Sequence, residues 1–384
     1  MIKHKLETIC LHYGEIDDLV YKGAISPLYM STSYGFSGVE QKRYPRYSNN
    51  PNQEGLGKKI AALEGGEKGL IFGSGMAAIS TCLFSHLNKG DHIVFYNDLY
   101  GGTRNLIKAE FDKYGISYSF SKSSKISDFK KCIKNNTKGI YIESPSNPLL
   151  KIVDMKAISD LAKSKKIWTM IDNTFASPIN QNPILFGIDI VIHSATKYLG
   201  GHSDICAGAV VSSKKHMEKI YNLSKSLGGS LSDFSAWMLE RSIKTLPIRV
   251  REQNKNAIKI AEFLKNHELV SNVYYPGLPT HEDYKIAKKQ MNGFGGMLSF
   301  EIDSKLNPLI FFDNLKIIKP VMSLAGIEST VNYPKLTSHS SLTKDERKNQ
   351  GISDQLIRFS SGIESFSDLK DDIENALKIT KNES

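Results

Sequence analysis

A chain of 384 residues with 40% hydrophobic and 23% charged residues is too long for one ordinary core and too apolar to be disordered, so two or more packed domains are expected. The formal net charge of +10 arises from 50 Lys and Arg against 40 Asp and Glu, scattered mostly as lysines rather than clustered as arginines, which argues against a nucleic-acid partner. Cys10, Cys82, Cys132 and Cys206 lie far apart without a Cys-x-x-Cys pair, which speaks against a disulfide framework or zinc site and for a reducing compartment.

The start, Met1-Ile-Lys-His-Lys-Leu-Glu-Thr, has an early positive charge but no apolar run or small-residue cleavage pattern. The longest apolar stretch, Gly69 to Leu87, is interrupted by glycines and serines. A soluble, cytoplasmic protein without a membrane span is therefore expected. Residues 1–50 lack sustained periodicity and are rich in Tyr, Ser, Gly and Pro, so they read as an arm that docks on something else, such as a second subunit. Gly55–Glu64 and Met76–Leu87 read as helices. Short β-rich runs follow the first of these, at Gly69–Phe72, His92–Tyr96, Ile116–Phe120, Gly139–Glu143, Ile167–Asp172, Asp189–His193 and Ala209–Ser212. Helical stretches between them include Gly102–Tyr114 and Met155–Lys165, and this alternation predicts a mostly parallel sheet covered on both faces. A long helical region, Asp233–Leu264, leads out of it. Gly295–Ile302 and Leu356–Ser360 then read as strands and Asp368–Thr380 as a closing helix, giving a smaller α+β domain. The expected division is an arm of 1–50, a large domain of 51–245 and a small domain of 246–384.

The most informative segment is His193-Ser-Ala-Thr-Lys-Tyr-Leu-Gly-Gly-His-Ser-Asp204, just past an apolar strand, where open α/β sheets bind ligands. A lysine buried there is costly when charged, and a Schiff base to an aldehyde cofactor removes the charge. Ser194 and Thr196 can donate to a phosphate. Lys-Tyr-Leu-Gly by itself is equally a surface lysine in a glycine-rich turn. Three further features favour the cofactor. Asp172 closes a hydrophobic strand, and a protonated pyridine nitrogen would be its cationic partner; capping of the following turn is the alternative. Gly73-Ser-Gly-Met-Ala-Ala-Ile79 opens a helix whose N-terminal N–H groups suit a phosphate. Tyr100, before Gly101-Gly102, can stack on a flat ring. His193 and His202 have no metal-ligand spacing and read as structural, so no metal is expected. Gly200-Gly201 lacks a dinucleotide fingerprint.

With these residues in view, the whole chain resembles the Cys/Met-metabolism enzymes that use pyridoxal 5′-phosphate (PLP): cystathionine γ-synthase, cystathionine γ-lyase, cystathionine β-lyase and methionine γ-lyase. The resemblance runs from Tyr44 to Glu364, and Ser194 to Asp204 is the family's lysine signature almost letter for letter. The Asp172-to-Lys197 and Met76-to-Tyr100 spacings match too. It implies a fold-type-I architecture, a mostly parallel seven-stranded sheet with a smaller C-terminal α+β domain. It also implies roles. Lys197 would hold PLP and shuttle protons, Asp172 would hold the pyridinium proton, and Tyr100 would stack on the ring. Gly75, Met76, Ser194 and Thr196 would grip the phosphate. Arg358 would clamp the substrate α-carboxylate, helped by Asn147 and Ser323. Tyr44 and Arg46 would reach the phosphate of a neighbouring subunit, in a homotetramer of two catalytic dimers acting on a small amino acid.

Two departures from the family pattern stand out. Tyr47-Ser-Asn-Asn-Pro-Asn52 has an extra residue before its proline, and Met322 precedes Ser323 where synthases and γ-lyases often carry Glu. The expected activity is at the C–S bond of cystathionine, of γ-lyase or γ-synthase type, with β-lyase or methionine γ-lyase as the alternative. The reading from another class is a basic α/β nucleotide- or nucleic-acid-binding protein without PLP.

Overall fold

In the computed structural model, which describes residues 4–340 and 342–383, the seven β-rich runs join into one sheet. Its strands are β1 (Lys68–Phe72), β2 (His92–Tyr96), β3 (Ser117–Ser121), β4 (Thr137–Glu143), β5 (Trp168–Asp172), β6 (Ile190–His193) and β7 (Gly208–Ser212), in the order β1-β7-β6-β5-β4-β2-β3. β2 runs parallel to β3 and β4, and β5 parallel to β6, whereas β7 is antiparallel to both β6 and β1. Every residue of β2, β6 and β7 is buried, as a sheet covered on both faces requires. The mostly parallel sheet expected from the alternation is present.

The chain divides into two compact units. The first comprises Met1–Asn97, Gly102–Ile142 and Asp154–Pro247, and the second Asp98–Gly101, Glu143–Val153 and Ile248–Ser384. In the first, helix α1 (Leu6–His12) gives the arm a helical turn that its weak periodicity did not reveal. The buried amine of Lys59 bonds the carbonyls of Cys10 and Leu11 at 3.0 and 3.2 Å, and so ties the C-terminal end of α1 to the body. Helix α2 (Pro51–Glu64) starts four residues before the expected Gly55. Asn50 and Gln53 close a capping box there, and Pro51 sits at the first helical position, where no N–H is missed. α2 packs on β1 at glycine on glycine: a Cβ on Gly69 would stand 2.2 Å from the Gly57 carbonyl oxygen. Helix α3 (Gly75–His86) is capped by Ser74, which accepts from Ala77 N–H at 3.1 Å.

The expected helical region Asp233–Leu264 is two helices, Asp233–Ile243 and Leu246–Lys265. Pro247 explains the break. Its ring is tolerated in a first turn but would clash with the preceding turn inside a continuous helix. The second unit holds a five-stranded sheet of β8 (Val270–Tyr274), β9 (Met297–Ile302), β10 (Lys319–Pro320), β11 (Thr330–Asn332) and β12 (Leu356–Ser360), ordered β10-β11-β12-β9-β8. β12 lies between β11 and β9, antiparallel to both. The closing helix is longer than expected, Phe366–Glu383. Among the described residues no helix is long and apolar enough to cross a membrane.

Candidate active site

The first unit gathers six of the predicted residues around the ends of β5 and β6. β6 delivers the chain into a turn in which Lys197 N–H bonds the Ser194 carbonyl at 3.1 Å and Gly201 N–H bonds the Lys197 carbonyl at 2.7 Å. Lys197 is partly buried. Thr174 ties this turn to the neighbouring strand end, because its hydroxyl accepts from Ser194 N–H at 2.8 Å. The Thr196 hydroxyl is braced by Ala207, accepting from its N–H at 2.9 Å and donating to its carbonyl at 3.1 Å.

The N-terminal end of α3 comes against the same turn. A Cβ on Gly75 would lie 2.8 Å from Ser194 Cβ and 3.0 Å from its Oγ, so only glycine lets the two backbones approach this closely. The first intrahelical bond of α3 is Ala78 N–H to Ser74 carbonyl at 3.2 Å, so Gly75 and Met76 present first-turn N–H groups with no carbonyl a turn below. Two backbone donors, the dipole's positive end and the Ser194 hydroxyl make a cradle suited to a phosphate.

Asp172 ends β5 and is buried. Burial pushes its carboxyl up from the ordinary range, against hydrogen bonds from Thr174 and the field of His193. Thr174 N–H donates to Oδ1 at 3.0 Å. A carboxylate enclosed in this way calls for a cation, and a pyridinium N–H would supply one. The residues of this unit thus fit a phosphorylated pyridine aldehyde: a cradle that a Cβ would fill, a buried anion, and a lysine on the turn after β6.

Tyr44 and Arg46, also in this unit, pack on each other and on Tyr47. The Arg46 guanidinium lies 5.4 Å from the Tyr44 ring centre and 4.9 Å from that of Tyr47, and it donates to the Lys225 carbonyl. Tyr44 is 47% exposed.

The second unit gathers the remaining four. Arg358, on the middle strand β12, is buried, and its fork is spread between two acceptors, Nη1 to Asn147 Oδ1 at 3.0 Å and Nη2 to the Ser323 carbonyl at 3.1 Å. Burial lowers its pKa to about 10, opposed by the fields of Tyr100 and Glu143, so it is charged at neutral pH. Glu143 was not anticipated from the sequence. Its Oε2 accepts from Tyr100 N–H at 2.8 Å, which fixes the backbone of a tyrosine whose side chain is 44% exposed. Its position at the end of β4 was the available signal. Ser323 and Ala325 have φ of 96° and 62°, in the left-handed region that favours glycine, where this chain has Ser-Leu-Ala-Gly.

Known proteins resemble this chain over nearly its whole length. The profile of the Cys/Met metabolism PLP-dependent enzymes matches residues 7–378. A cystathionine β-lyase of Lactococcus lactis is 44% identical, over 97% of this chain and 99% of its own length. A cystathionine γ-lyase of Bacillus subtilis is 42% identical over the same shares. The crystal structure of cystathionine γ-lyase from Lactobacillus plantarum complexed with L-serine superposes with a TM-score of 0.95 at 40% identity, covering 98% of this chain and all of the other.

Proposed function

The chain belongs to the Cys/Met-metabolism PLP-dependent enzymes, and within that family we propose that it is a lyase cleaving a carbon–sulfur bond of cystathionine. What carries the reading is the cofactor cradle around Lys197 in the first unit; the buried, forked arginine held by Asn147 in the second unit supports it. The substrate is taken from the relatives, which are cystathionine lyases at 40–44% identity.

Bound PLP supplies an electron sink for the charge that develops at Cα. The chain's own residues do the rest. Lys197 Nζ would hold the cofactor and, as a free amine, would take the Cα proton. Asp172 would hold the ring-nitrogen proton and Tyr100 would stack on the ring. Ser194, Thr196 and the N–H groups of Gly75 and Met76 would hold the phosphate. Arg358 takes the α-carboxylate, with Asn147 and Ser323 orienting it. Incubation with cystathionine should consume one water and release one thiol, one 2-oxo acid and one ammonium ion per turnover. Cysteine would mark cleavage on the γ-carbon side and homocysteine on the β-carbon side. Absence of both thiols, with cystathionine formed instead from an activated homoserine ester plus cysteine, would overturn the lyase reading in favour of a synthase.

We further propose a homotetramer of two catalytic dimers in which Tyr44 and Arg46 serve the partner's phosphate. The arm leaves Leu19, Val20, Tyr21, Met30 and Phe36 at 67–89% exposure, a density of apolar surface that a lone soluble chain seldom presents. Its weak core and outward Tyr44 support the same view. No disulfide joins the cysteines among the described residues, which supports a cytoplasmic location. Lys197→Ala and Arg46→Ala chains, each inactive alone, should regain part of the activity when mixed. In the mixed dimer, one site keeps its own Lys197 and receives Arg46 from the other chain. No recovery, with subunit exchange shown by a tag, would mean that Arg46 serves its own chain.

A further inference from the structure

Arg358 shares its face of the second sheet with polar neighbours that the roles above do not use. Along a strand, residues two apart point the same way, and so do residues directly opposite on the next strand. Ser360 lies two residues beyond Arg358 on β12. Ser299 on β9 and Asn332 on β11 each pair directly with Arg358. All three are buried.

Each of them grips a segment that carries an acceptor of the arginine fork. Ser299 Oγ–H donates to the Pro148 carbonyl at 2.7 Å. Pro148 follows Asn147, whose Oδ1 accepts from Arg358 Nη1 at 3.0 Å. Ser360 Oγ accepts from Ala325 N–H at 2.7 Å. Ala325 lies two residues beyond Ser323, whose carbonyl accepts from Arg358 Nη2 at 3.1 Å. Asn332 Nδ2 reaches the Val321 carbonyl at 3.4 Å, two residues before Ser323. The turn needs such ties. Ser323 and Ala325 hold φ of 96° and 62°, which side chains other than glycine keep only where the surroundings enforce it. Gln253 Nε2 adds a bond to the Gly326 carbonyl at 2.7 Å.

We propose that Ser299 and Ser360 are positioning residues for the substrate carboxylate: each fixes one of the two acceptors that orient the Arg358 fork. With Nη1 and Nη2 both tied, the guanidinium cannot turn about its stem, and its remaining N–H groups face the carboxylate in one direction. Loosening either acceptor leaves the charge in place but frees the fork, so the bidentate contact suffers first. The proposal rests on the reading of Arg358 as the carboxylate clamp.

The test compares glycine with glycinamide, which lacks the carboxylate, as ligands of the PLP-loaded enzyme, followed by the cofactor's visible absorbance. Ser299→Ala and Ser360→Ala should each weaken glycine by about fivefold or more and leave glycinamide within about twofold. With cystathionine, KM should rise by a similar factor while kcat holds. In the cofactor-free protein, the Ala325 amide should lose protection from hydrogen exchange in Ser360→Ala. Ser299→Cys and Ser360→Cys, close to serine in size but weak in hydrogen bonding, carry the same expectations should an alanine variant not fold. Unchanged glycine binding overturns the proposal. So does an equal loss for glycine and glycinamide, which marks a general loosening of the site. If Arg358→Lys weakens glycine against glycinamide while the serine variants do not, the clamp stands and the proposal falls. If Arg358→Lys leaves that ratio unmoved, the clamp reading falls with it.

Discussion

Replacing Lys197 by Ala is expected to abolish turnover of cystathionine, by at least about 10⁴-fold, together with the visible absorbance of the bound cofactor. The size follows from the two tasks the amine performs, anchoring the cofactor and moving the Cα proton. The fold should survive. The turn around Lys197 is closed by backbone hydrogen bonds, Lys197 N–H to the Ser194 carbonyl and Gly201 N–H to the Lys197 carbonyl, and an alanine at this position would keep both. Circular dichroism and the thermal transition of the variant should therefore match those of the parent apoenzyme. A Lys197→Ala protein that still turned over cystathionine at more than about a hundredth of the parent rate would remove Lys197 from the chemistry.

Arg358→Lys is expected to raise KM for amino-acid substrates by roughly 30- to 100-fold, about 2–3 kcal/mol, with a smaller effect on kcat. A lysine keeps one charge but cannot reach Asn147 and the Ser323 carbonyl with separate donors while facing a carboxylate. Burial adds a pH dependence with a definite sign. It lowers the guanidinium to about 10, still well above neutrality. An ammonium starts about two pH units lower, so the same burial brings its loss of charge toward the assay range. KM of the variant should therefore climb as pH rises above neutrality, while that of the parent stays flat. Equal and flat KM profiles would mean that Arg358 is not the carboxylate clamp.

What could be read in advance depended on how local it was. Ser194, Thr196 and Lys197 are contiguous, and the strand before them is strongly apolar, so both the turn and its chemistry showed in the letters. The alternation of β-rich and helical runs likewise gave the large sheet, strand by strand. Contacts between distant segments left no such trace. Arg358 and Asn147 are 211 residues apart, and His193 and Glu64 are 129 apart. His193 reads as an ordinary core histidine until the fold sets Glu64 against it. Glu143 is one of many strand-end carboxylates until its bond to Tyr100 N–H is seen. β10 and β11, two and three residues long, are too short to display any period.

The membership of residues 143–153 in the second unit bears on how the chain can be synthesised. The segment leaves β4 early in the sequence, yet its polar groups are met by much later residues. Ile152 N–H is accepted by Asp283, the Val153 carbonyl receives Gln290, and the Pro148 carbonyl receives Ser299, at separations of 131, 137 and 151 residues. At roughly 5–20 residues per second, a ribosome takes on the order of ten seconds to supply those partners. During that interval the nascent first unit carries an unsatisfied loop out of its own sheet. Maturation of this polypeptide is therefore not strictly vectorial: the amino-terminal half waits on the carboxy-terminal half, and a fragment ending near residue 247 would emerge with that loop still open.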